Sequence, residues 1–210
     1  FGNMAEAGVK EDGGIERLAV LRMDVDNLGA IMATGLPEKD RSISRLAALS
    51  SHLDLFFCGY LTAIVEKNSN TGYITYAGGD DLFVVASWQQ AITIAQRIRE
   101  EFAAYACGNP KITISAGINL FKKKFPVAVA GEVARNQLEE VAKQDKKNAC
   151  ALFGFRVSWD ELSEIRQYGD TLVEWIEAGK VARGLPYRLL ILHRQNPGGG
   201  VRYSGLLRYF

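Results

Sequence analysis

Four residues near the middle of the sequence, Gly78-Gly79-Asp80-Asp81, have the types and spacing needed to bind a cation. Apolar, β-prone runs flank them at 72–77 and 82–87, so the sequence predicts a β-hairpin with two carboxylates at its tip. Glycines permit a tight turn and let a ligand approach the backbone. Adjacent acids are costly to hold together unless a cation, most simply Mg²⁺ or Mn²⁺, neutralises them. An ordinary surface turn with solvated acids is the alternative interpretation of the hairpin alone.

A second acidic group lies upstream, where an apolar run at 18–23 ends at Asp24 and Asp26 follows. Because no turn residue separates Asp24 from the strand-like run, ligand binding explains its position better than solvation in a loop. Three or four carboxylates from the strand end and the hairpin tip are therefore expected to meet. Polymerases and cyclases use two divalent ions, roughly 3.5–4 Å apart, to hold the attacking and leaving oxygens of phosphoryl transfer. The sequence predicts that chemistry here.

Two lysines further along the chain are suited to hold phosphate groups. A helix is predicted over about 127–146, and Lys143 and Lys147 share one of its faces if it extends that far. Lysine ammonium groups are point charges that suit a triphosphate. Solvated lysines on a helix surface are the alternative.

The overall composition limits the class of protein. A formal net charge of +1 over 210 residues excludes a generally basic nucleic-acid-binding surface, though not a local basic groove. Three isolated cysteines favour a reducing cytoplasm over a disulfide framework or a zinc ribbon. No apolar run approaches the ~20 residues of a membrane span, so no membrane is expected as a partner. The absence of Met at position 1 and the apolar end of the sequence predict a piece of a longer chain.

The predicted elements run β-α-β-β-α-β and then α-β. Helices are expected at 27–34, 42–67, 88–107 and 127–146, and strands at 18–24, 111–119 and 149–153 besides the hairpin. Two βαβ-like units around a hairpin predict an α+β fold, with an antiparallel ferredoxin-like sheet and helices on one face. In that topology the first strand ends beside the hairpin, so Asp24 and Asp80 are expected to meet.

The chain divides into three predicted segments. Residues 1–14 contain four glycines and predict a linker, 15–153 form the α+β domain, and 154–210 form an incomplete helical domain. In the last segment, helices are expected at 159–179, capped by Ser158 with Glu161 behind it, and at 181–195. The apolar stripe of the first of these helices is expected to be core, in a small helical appendage that needs partners to cover it.

Three motifs carry a resemblance to a known family. They are Met23-Asp24-Val25-Asp26-Asn27-Leu28, Gly78-Gly79-Asp80-Asp81-Leu82-Phe83 and Ala142-Lys143-Gln144-Asp145-Lys146-Lys147-Asn148, and they resemble the signatures of the GGDEF nucleotide-cyclase palm. The Asp-Asn-Leu-Gly and Asp-Asp forms of the first two are more similar to the large subunit of type III CRISPR effector complexes, the CRISPR polymerase, in its Csm (III-A) version. The α+β domain resembles the second, GGDD palm of that family, and 154–210 resembles the start of its C-terminal helical domain.

The resemblance implies a Mg²⁺- or Mn²⁺-dependent nucleotidyltransferase that polymerises ATP into cyclic oligoadenylates when its complex binds target RNA. The implied catalytic and metal-binding residues are Asp24, Asp80 and Asp81, assisted by the Val25 carbonyl, and the implied nucleotide-binding residues are Gly78, Gly79, Lys143 and Lys147. The implied partners are the other Csm subunits, guide RNA, target RNA and the first palm of the same subunit. The implied location is the prokaryotic cytoplasm.

A GGDEF-type diguanylate cyclase and a non-catalytic scaffold palm are the alternatives. Diguanylate cyclases usually carry Lys where this chain has Gly29, and their Arg-x-x-Asp inhibitory site would fall at 69–72, where it is absent. These departures weigh against c-di-GMP synthesis. A scaffold would have no reason to keep all three acids together. The family's nuclease domain, first palm and zinc-binding domain are not in this sequence, so no DNA cleavage is expected of it.

Overall fold

The structure, a computed structural model, describes Glu6 and residues 15–68, 72–144 and 146–195. Apart from Glu6, the predicted linker at 1–14 lies outside the described residues, as do residues 69–71 and 196–210. The elements of the predicted α+β domain fall almost entirely within the described ranges.

Within these ranges six strands form one sheet, in the order β2-β3-β1-β4-β5-β6. The strands are β1 (Leu18–Val25), β2 (Tyr73–Gly78), β3 (Asp81–Ser87), β4 (Ile114–Phe121), β5 (Ala149–Leu152) and β6 (Phe155–Ser158). All neighbours are antiparallel except β4 and β5, which are parallel. The α+β class is confirmed, and the first four strands have the predicted ferredoxin-like order. The last two strands extend the sheet and make it mixed.

Helices cover both faces of this sheet. The helices of the described ranges are α1 (Leu28–Thr34), α2 (Ile43–Asp54), α3 (Leu61–Asn68), α4 (Trp88–Tyr105), α5 (Val127–Asn136), α6 (Trp159–Glu177) and α7 (Leu185–Gln195), and α2 to α5 pack on the sheet. A π-helical segment at Leu55–Tyr60 joins α2 to α3, and another at Gln137–Ala142 continues α5. In β1, Ala19 and Leu21 belong to the core with α2–α4, whereas Leu18 packs with Ala130 of α5. The expectation of helices on one face is wrong, because alternate residues of β1 are apolar on both sides.

The larger core lies between the sheet and helices α2 to α4. The rings of Phe56 and Phe57 are buried with centroids 5.4 Å apart, and the Phe56 and Phe102 centroids are 5.2 Å apart. By length and composition the helical stretch Ile43–Lys67 is apolar enough to cross a membrane, so the expectation that no such run exists is wrong. The core helix of a globular domain meets the same criterion, and this stretch packs its aromatic residues against α4.

Gly117 in β4 allows α5 and its π-helical continuation to lie directly on the sheet. A Cβ atom at this position would lie 2.3 Å from the carbonyl oxygen of Ala134 and 2.6 Å from the amide nitrogen of Leu138. Both neighbours are backbone atoms, so neither can turn away as a side chain would. The missing side chain therefore sets how closely the end of this helix approaches β1.

Gly117→Ala is expected to lower the free energy of unfolding by about 2–3 kcal/mol, because overpacking at a helix–sheet contact forces the backbones apart. Urea unfolding of the 210-residue chain measures the change. Gly169→Ala in α6 is the matched control, since a Cβ there meets nothing within 4 Å. The control should be neutral or stabilising by up to about 1 kcal/mol. Equal stability of Gly117→Ala and the unaltered chain would contradict the close contact.

The sheet continues past the predicted boundary at residue 154. Phe153 and Gly154 have φ angles of 55° and 82° and form the two-residue turn between β5 and β6. Ser158 then caps α6 as predicted, because its Oγ accepts the Glu161 amide at 3.2 Å and its own amide donates to Glu161 Oε2 at 2.8 Å. The first compact unit ends at Leu162, so the predicted boundary falls inside the sheet.

The second compact unit begins at Ser163 and contains the rest of α6 and α7. Its helical character agrees with the sequence prediction. The exposed fractions of Ile165, Tyr168 and Trp175 are 55%, 68% and 43%, so these residues are not core within this chain, and their burial by partners stays a prediction. Two helices alone present too little surface to bury an apolar stripe.

Candidate active site

Strand pairing brings the upstream acid to the hairpin. Asp24 lies directly opposite Asp81 in the antiparallel β1–β3 pair. The amide of Val25 donates a hydrogen bond to the carbonyl of Asp80, with an N···O distance of 3.2 Å. Residues opposite each other in an antiparallel pair project on the same face, here the face covered by α5. Asp24 therefore meets the hairpin as predicted, with Asp81 as its cross-strand neighbour and Asp80 in the turn.

The hairpin turn is held from the opposite side. Gly79 has a φ of +63°, which glycine adopts without strain, and its amide donates to Asp54 Oδ1 at 3.1 Å. Asp54 is the last residue of α2, at the point where the π-helical segment begins. The positive φ angle of the turn explains why position 79 is a glycine. The nucleotide-binding role of Gly78 and Gly79 stays a prediction.

Each of the two paired acids is neutralised by a basic side chain. Lys143 forms ion pairs with Asp24 and, at 2.9 Å, with Glu139. Arg22 forms an ion pair with Asp81. The side chain of Lys143 is only 11% exposed and that of Asp24 is 21% exposed, so solvent screens this pair weakly. Beside the pairs lies a cavity of about 360 Å³, lined by Arg22, Asp24, Asp81, Arg135, Leu138 and Glu139.

The two predicted lysines do not share a helical face. The helix ends at Ala142, and the amide of Lys143 closes the last π-helical turn by donating to the Leu138 carbonyl at 3.0 Å. Lys147 lies beyond this end, in a backbone conformation with φ of 49°. Its Nζ donates to Asn27 Oδ1 at 2.8 Å. Lys143 nevertheless contacts Asp24 in β1, and Lys147 contacts Asn27 just after β1, although the two lysines do not lie on one helix.

Asp26 does not join the acid pair, so the expected meeting of up to four carboxylates is not what the structure has. Asp26 is completely buried and accepts hydrogen bonds from Thr113 Oγ1 at 2.7 Å, Ser115 Oγ at 2.8 Å and the Asn148 amide at 3.0 Å. A buried carboxylate with three donors is satisfied by the fold.

The donor set suits a hard divalent ion that brings other ligands with it. In the described part of the chain, no three His, Cys, Asp or Glu side chains are close enough to form a metal site by themselves. Mg²⁺ is usually held by one or two carboxylates, water and substrate phosphates, which is what Asp24 and Asp81 offer. Asp81 Oδ1 is buried and accepts no hydrogen bond from the described residues, so its lone pairs are available to a cation. The roles of Asp80 and the Val25 carbonyl stay predictions.

Burial raises the pKa of Asp24 to about 6. The hydrogen bond and charge of Lys143 lower it, while the charges of Asp80 and Glu139 raise it further. Burial lowers the pKa of Lys143, but its hydrogen bonds to Asp24 and Glu139 outweigh burial and raise this pKa. At neutral pH Lys143 is therefore charged and Asp24 is mostly ionised.

Divalent-cation affinity is expected to fall as the pH drops below about 6, because a cation binds the ionised form of Asp24. Mn²⁺ titrations at pH 7.5, 6 and 5 should show a dissociation constant that rises up to about tenfold per pH unit below the pKa. Asp24→Asn, which cannot titrate, should bind weakly without this step. An affinity that stays constant down to pH 5 would exclude Asp24 as a ligand.

Protonation of Asp24, which weakens cation binding, stabilises the folded state when no cation is bound. The folded state holds this proton with a pKa of about 6, above the ordinary aspartate value of about 3.9. The stability contributed by protonated Asp24 is therefore lost as the pH rises through this window.

Two arginines of the cavity, Arg22 and Arg135, were not predicted from the sequence. Arg22 is a charged residue inside an otherwise apolar strand, two positions before Asp24 and so on the same face. A charged residue in an apolar strand, on the same face as Asp24, is a sequence signal that indicates a functional role. Arg135 has no comparable signal, because an arginine near a helix end is ordinary surface composition.

The fold and the site together define a palm domain of the polymerase and nucleotide-cyclase type. Residues 17–151 match the family model described as Cas10/Cmr2, second palm domain. The chain therefore belongs to the Cas10/Cmr2 family.

Two curated relatives carry the name CRISPR system single-strand-specific deoxyribonuclease Cas10/Csm1 (subtype III-A). The protein of Methanocaldococcus jannaschii is 37% identical over 190 residues, which cover 80% of this chain and 24% of that protein. The protein of Mycobacterium tuberculosis is 42% identical over 174 residues, which cover 73% of this chain and 21% of that protein. The chain thus spans less than a quarter of the length of these relatives.

Two solved structures of a Csm1-Csm4 cassette are similar to this chain. The complex with pppApApA superposes with a TM-score of 0.78 and 27% identity, over 93% of this chain and 32% of the solved one. The complex with cA3 superposes with a TM-score of 0.76 and 27% identity, over 92% and 31%. These values extend the likeness beyond the palm to most of the chain.

Proposed function

We propose that this chain is the catalytic palm of a Mg²⁺- or Mn²⁺-dependent nucleotidyltransferase that polymerises ATP into cyclic oligoadenylates. The observation that carries the proposal is the cross-strand pairing of Asp24 with Asp81, with Lys143 bound to Asp24. Nucleotidyl transfer needs carboxylates that bind divalent ions and a basic side chain that binds phosphate. Asp24, Asp81 and Lys143 bring these groups together at one point of the palm.

The ion pairs of Asp24 and Asp81 suggest how the proposed site binds its cation and nucleotide. A cation at Asp24 would take over the neutralising role of Lys143, whose ammonium would then turn to a phosphate of ATP. Lys147 would hold another phosphate from the side of Asn27. When bound, the divalent ions lower the pKa of the attacking ribose 3′-hydroxyl and stabilise the departing pyrophosphate. The protein residues orient the α-phosphate for in-line attack.

The ligands of the structural neighbours support ATP as the substrate. The solved Csm1-Csm4 cassettes are complexes with pppApApA, cA3, cA4 and AMPPNP, all of which are adenine nucleotides. The relatives' name describes a deoxyribonuclease, and this chain spans 24% of the M. jannaschii protein. We therefore do not assign DNA cleavage to the palm.

The proposed partners are those that the family resemblance implies, and one structural neighbour supports the Csm complex among them. One solved neighbour is a Csm1-Csm4 subcomplex of the type III-A CRISPR-Csm interference complex. We place this chain in such a complex in the prokaryotic cytoplasm, with guide RNA, a target RNA that activates it, and the first palm of the same subunit.

The test compares ATP with GTP. The complete subunit, assembled in its complex with target RNA and Mg²⁺ or Mn²⁺, is expected to convert ATP into cyclic oligoadenylates and to leave GTP unchanged. Chromatography and mass spectrometry of the products measure this outcome. Formation of c-di-GMP from GTP would establish the diguanylate-cyclase alternative, and no turnover of either nucleotide would establish the scaffold.

A further inference from the structure

The backbone next to Lys147 needs support from its surroundings. Lys147 and Asn148 have φ angles of 49° and 48°, so two successive residues with side chains are in the left-handed conformation. Such residues are uncommon singly and persist only where neighbouring contacts hold them. Two contacts do so here. Arg156 Nη2 donates to the Lys147 carbonyl at 2.8 Å, and the Asn148 amide donates to Asp26 at 3.0 Å.

Asp26 is the buried and rigid one of these two supports. Its Oδ1 accepts from Ser115 Oγ at 2.8 Å, and its Oδ2 accepts from Thr113 Oγ1 at 2.7 Å. Its own amide donates to the Thr113 carbonyl at 2.8 Å. Asp26 therefore ties together the end of β1, the beginning of β4 and the segment that leads into β5.

We infer that Asp26 is a positioning residue for nucleotide binding, which holds the Asn148 amide and thereby keeps Lys147 beside Asn27. The inference rests on the proposed function, since it takes Lys147 as a ligand of the triphosphate. It separates the two acids of the first motif by role. Asp24 binds the cation. Asp26, two residues later, fixes the backbone before β5 and thereby positions Lys147, which binds phosphate.

The chemistry of the side chain explains why this position uses a carboxylate. Three donors converge on Asp26, and a carboxylate accepts all of them through two oxygens. An asparagine of almost the same size has one uncharged acceptor oxygen. If its NH₂ group donates to Ser115 Oγ, the Asn148 amide keeps a partner but loses the charge-assisted strength of its hydrogen bond, and in the other orientation it loses its acceptor. Asp26→Asn therefore breaks part of the network with little change in volume.

The experiment measures binding of the ATP analogue AMPPNP with Mg²⁺ to the 210-residue chain by calorimetry. Lys147→Ala is expected to weaken binding about tenfold, as for loss of a charged hydrogen bond. Asp26→Asn is expected to weaken it by about three- to tenfold. The double variant should bind no more weakly than Lys147→Ala alone, because Asp26 acts through Lys147.

Two controls separate positioning from general destabilisation and from metal binding. Thr113→Val removes a hydrogen bond to the same carboxylate but leaves the Asn148 contact, so it should lower the melting temperature without changing AMPPNP affinity. Mn²⁺ binding in the absence of nucleotide should be unchanged in Asp26→Asn. If Asp26→Asn does not fold, Asp26→Glu replaces it in the test. This variant keeps the charge but moves it by one methylene, and it should also weaken AMPPNP binding.

The outcomes distinguish this inference from the proposed function. If Lys147→Ala weakens AMPPNP binding and the folded Asp26 variant does not, the inference is wrong and the proposed function stands. If Lys147→Ala has no effect, the phosphate role of Lys147 is wrong and the inference is wrong with it. Weaker Mn²⁺ binding in Asp26→Asn would make Asp26 part of the metal site and would also overturn the positioning role.

Discussion

Replacing Asp80 by alanine is expected to lower nucleotide turnover by about 10³-fold or more, since we propose Asp80 as a ligand of the divalent cation and such a ligand contributes several kcal/mol to the transition state. The fold should be kept. The charge of Asp80 raises the pKa of Asp24, so its removal relieves repulsion in the metal-free chain. Changing Asp24 or Asp81 instead would remove the partner of Lys143 or Arg22 and confound lost catalysis with an uncompensated charge.

Turnover of ATP by the complete subunit, with a thermal melt of the same preparation, measures both parts of this prediction. Asp80→Asn keeps the size of the side chain and should be as inactive as alanine. Glu132→Ala on the exposed surface of α5 is the matched acid-to-alanine control and should leave turnover unchanged. If Asp80→Ala melts earlier and still turns over ATP, Asp80 has a structural role and is not a ligand.

The isolated chain is expected to make about 100-fold less product at micromolar concentration than the same palm joined to its first palm. Joining two nucleotides needs one triphosphate to supply the 3′-hydroxyl and another to supply the α-phosphate. This chain has one Asp24–Asp81 pair, and the family model that it matches is the second palm. A covalently linked partner palm acts at an effective concentration in the millimolar range, which two free copies reach only when concentrated.

The dependence of the rate on protein concentration tests this requirement. If two copies pair palm to palm, doubling a low concentration of the isolated chain should multiply the total rate by about four, whereas the complete subunit should show a linear dependence. Asp80→Ala in either preparation is the control for contaminating activity. Linear synthesis by the 210 residues alone, at the rate of the complete subunit, would show that one palm is sufficient.

The meeting of Asp24 with the hairpin was predictable because it depends only on topology. A β-α-β-β order places the end of the first strand beside the turn of the hairpin, whatever the details of packing. The cap formed by Ser158 and Glu161 was predictable for a similar reason, since it depends on residue types three positions apart.

Other features depend on tertiary contacts that a single sequence does not display. The periodicity of 127–146 is helical, but the sequence does not show that the helix widens to a π-helix at Gln137 and ends before Lys143. The helices on both faces had a signal in β1, whose alternate residues are apolar on both sides, but the close contact of α5 with Gly117 is not visible in the sequence. The sixth strand did have a signal, because Phe153-Gly154 separates the apolar run 149–152 from the alternating residues 155–158, as a short hairpin turn would.

The π-helical segment Gln137–Ala142 makes the number of residues in this helix as important as their identity. Each residue of an α-helix advances the chain by about 100° around the axis. Each hydrogen bond of the π-helical segment spans one more residue than in an α-helix, so the segment takes up one extra residue while the flanking turns keep their phase. Deleting one residue from it would restore ordinary α-helical bonding and leave Lys143 facing Asp24. A second deletion would have no such slack, because the helix is seated on the sheet at Gly117, and it would turn Lys143 away from Asp24 by roughly 100° while leaving every motif of the chain intact.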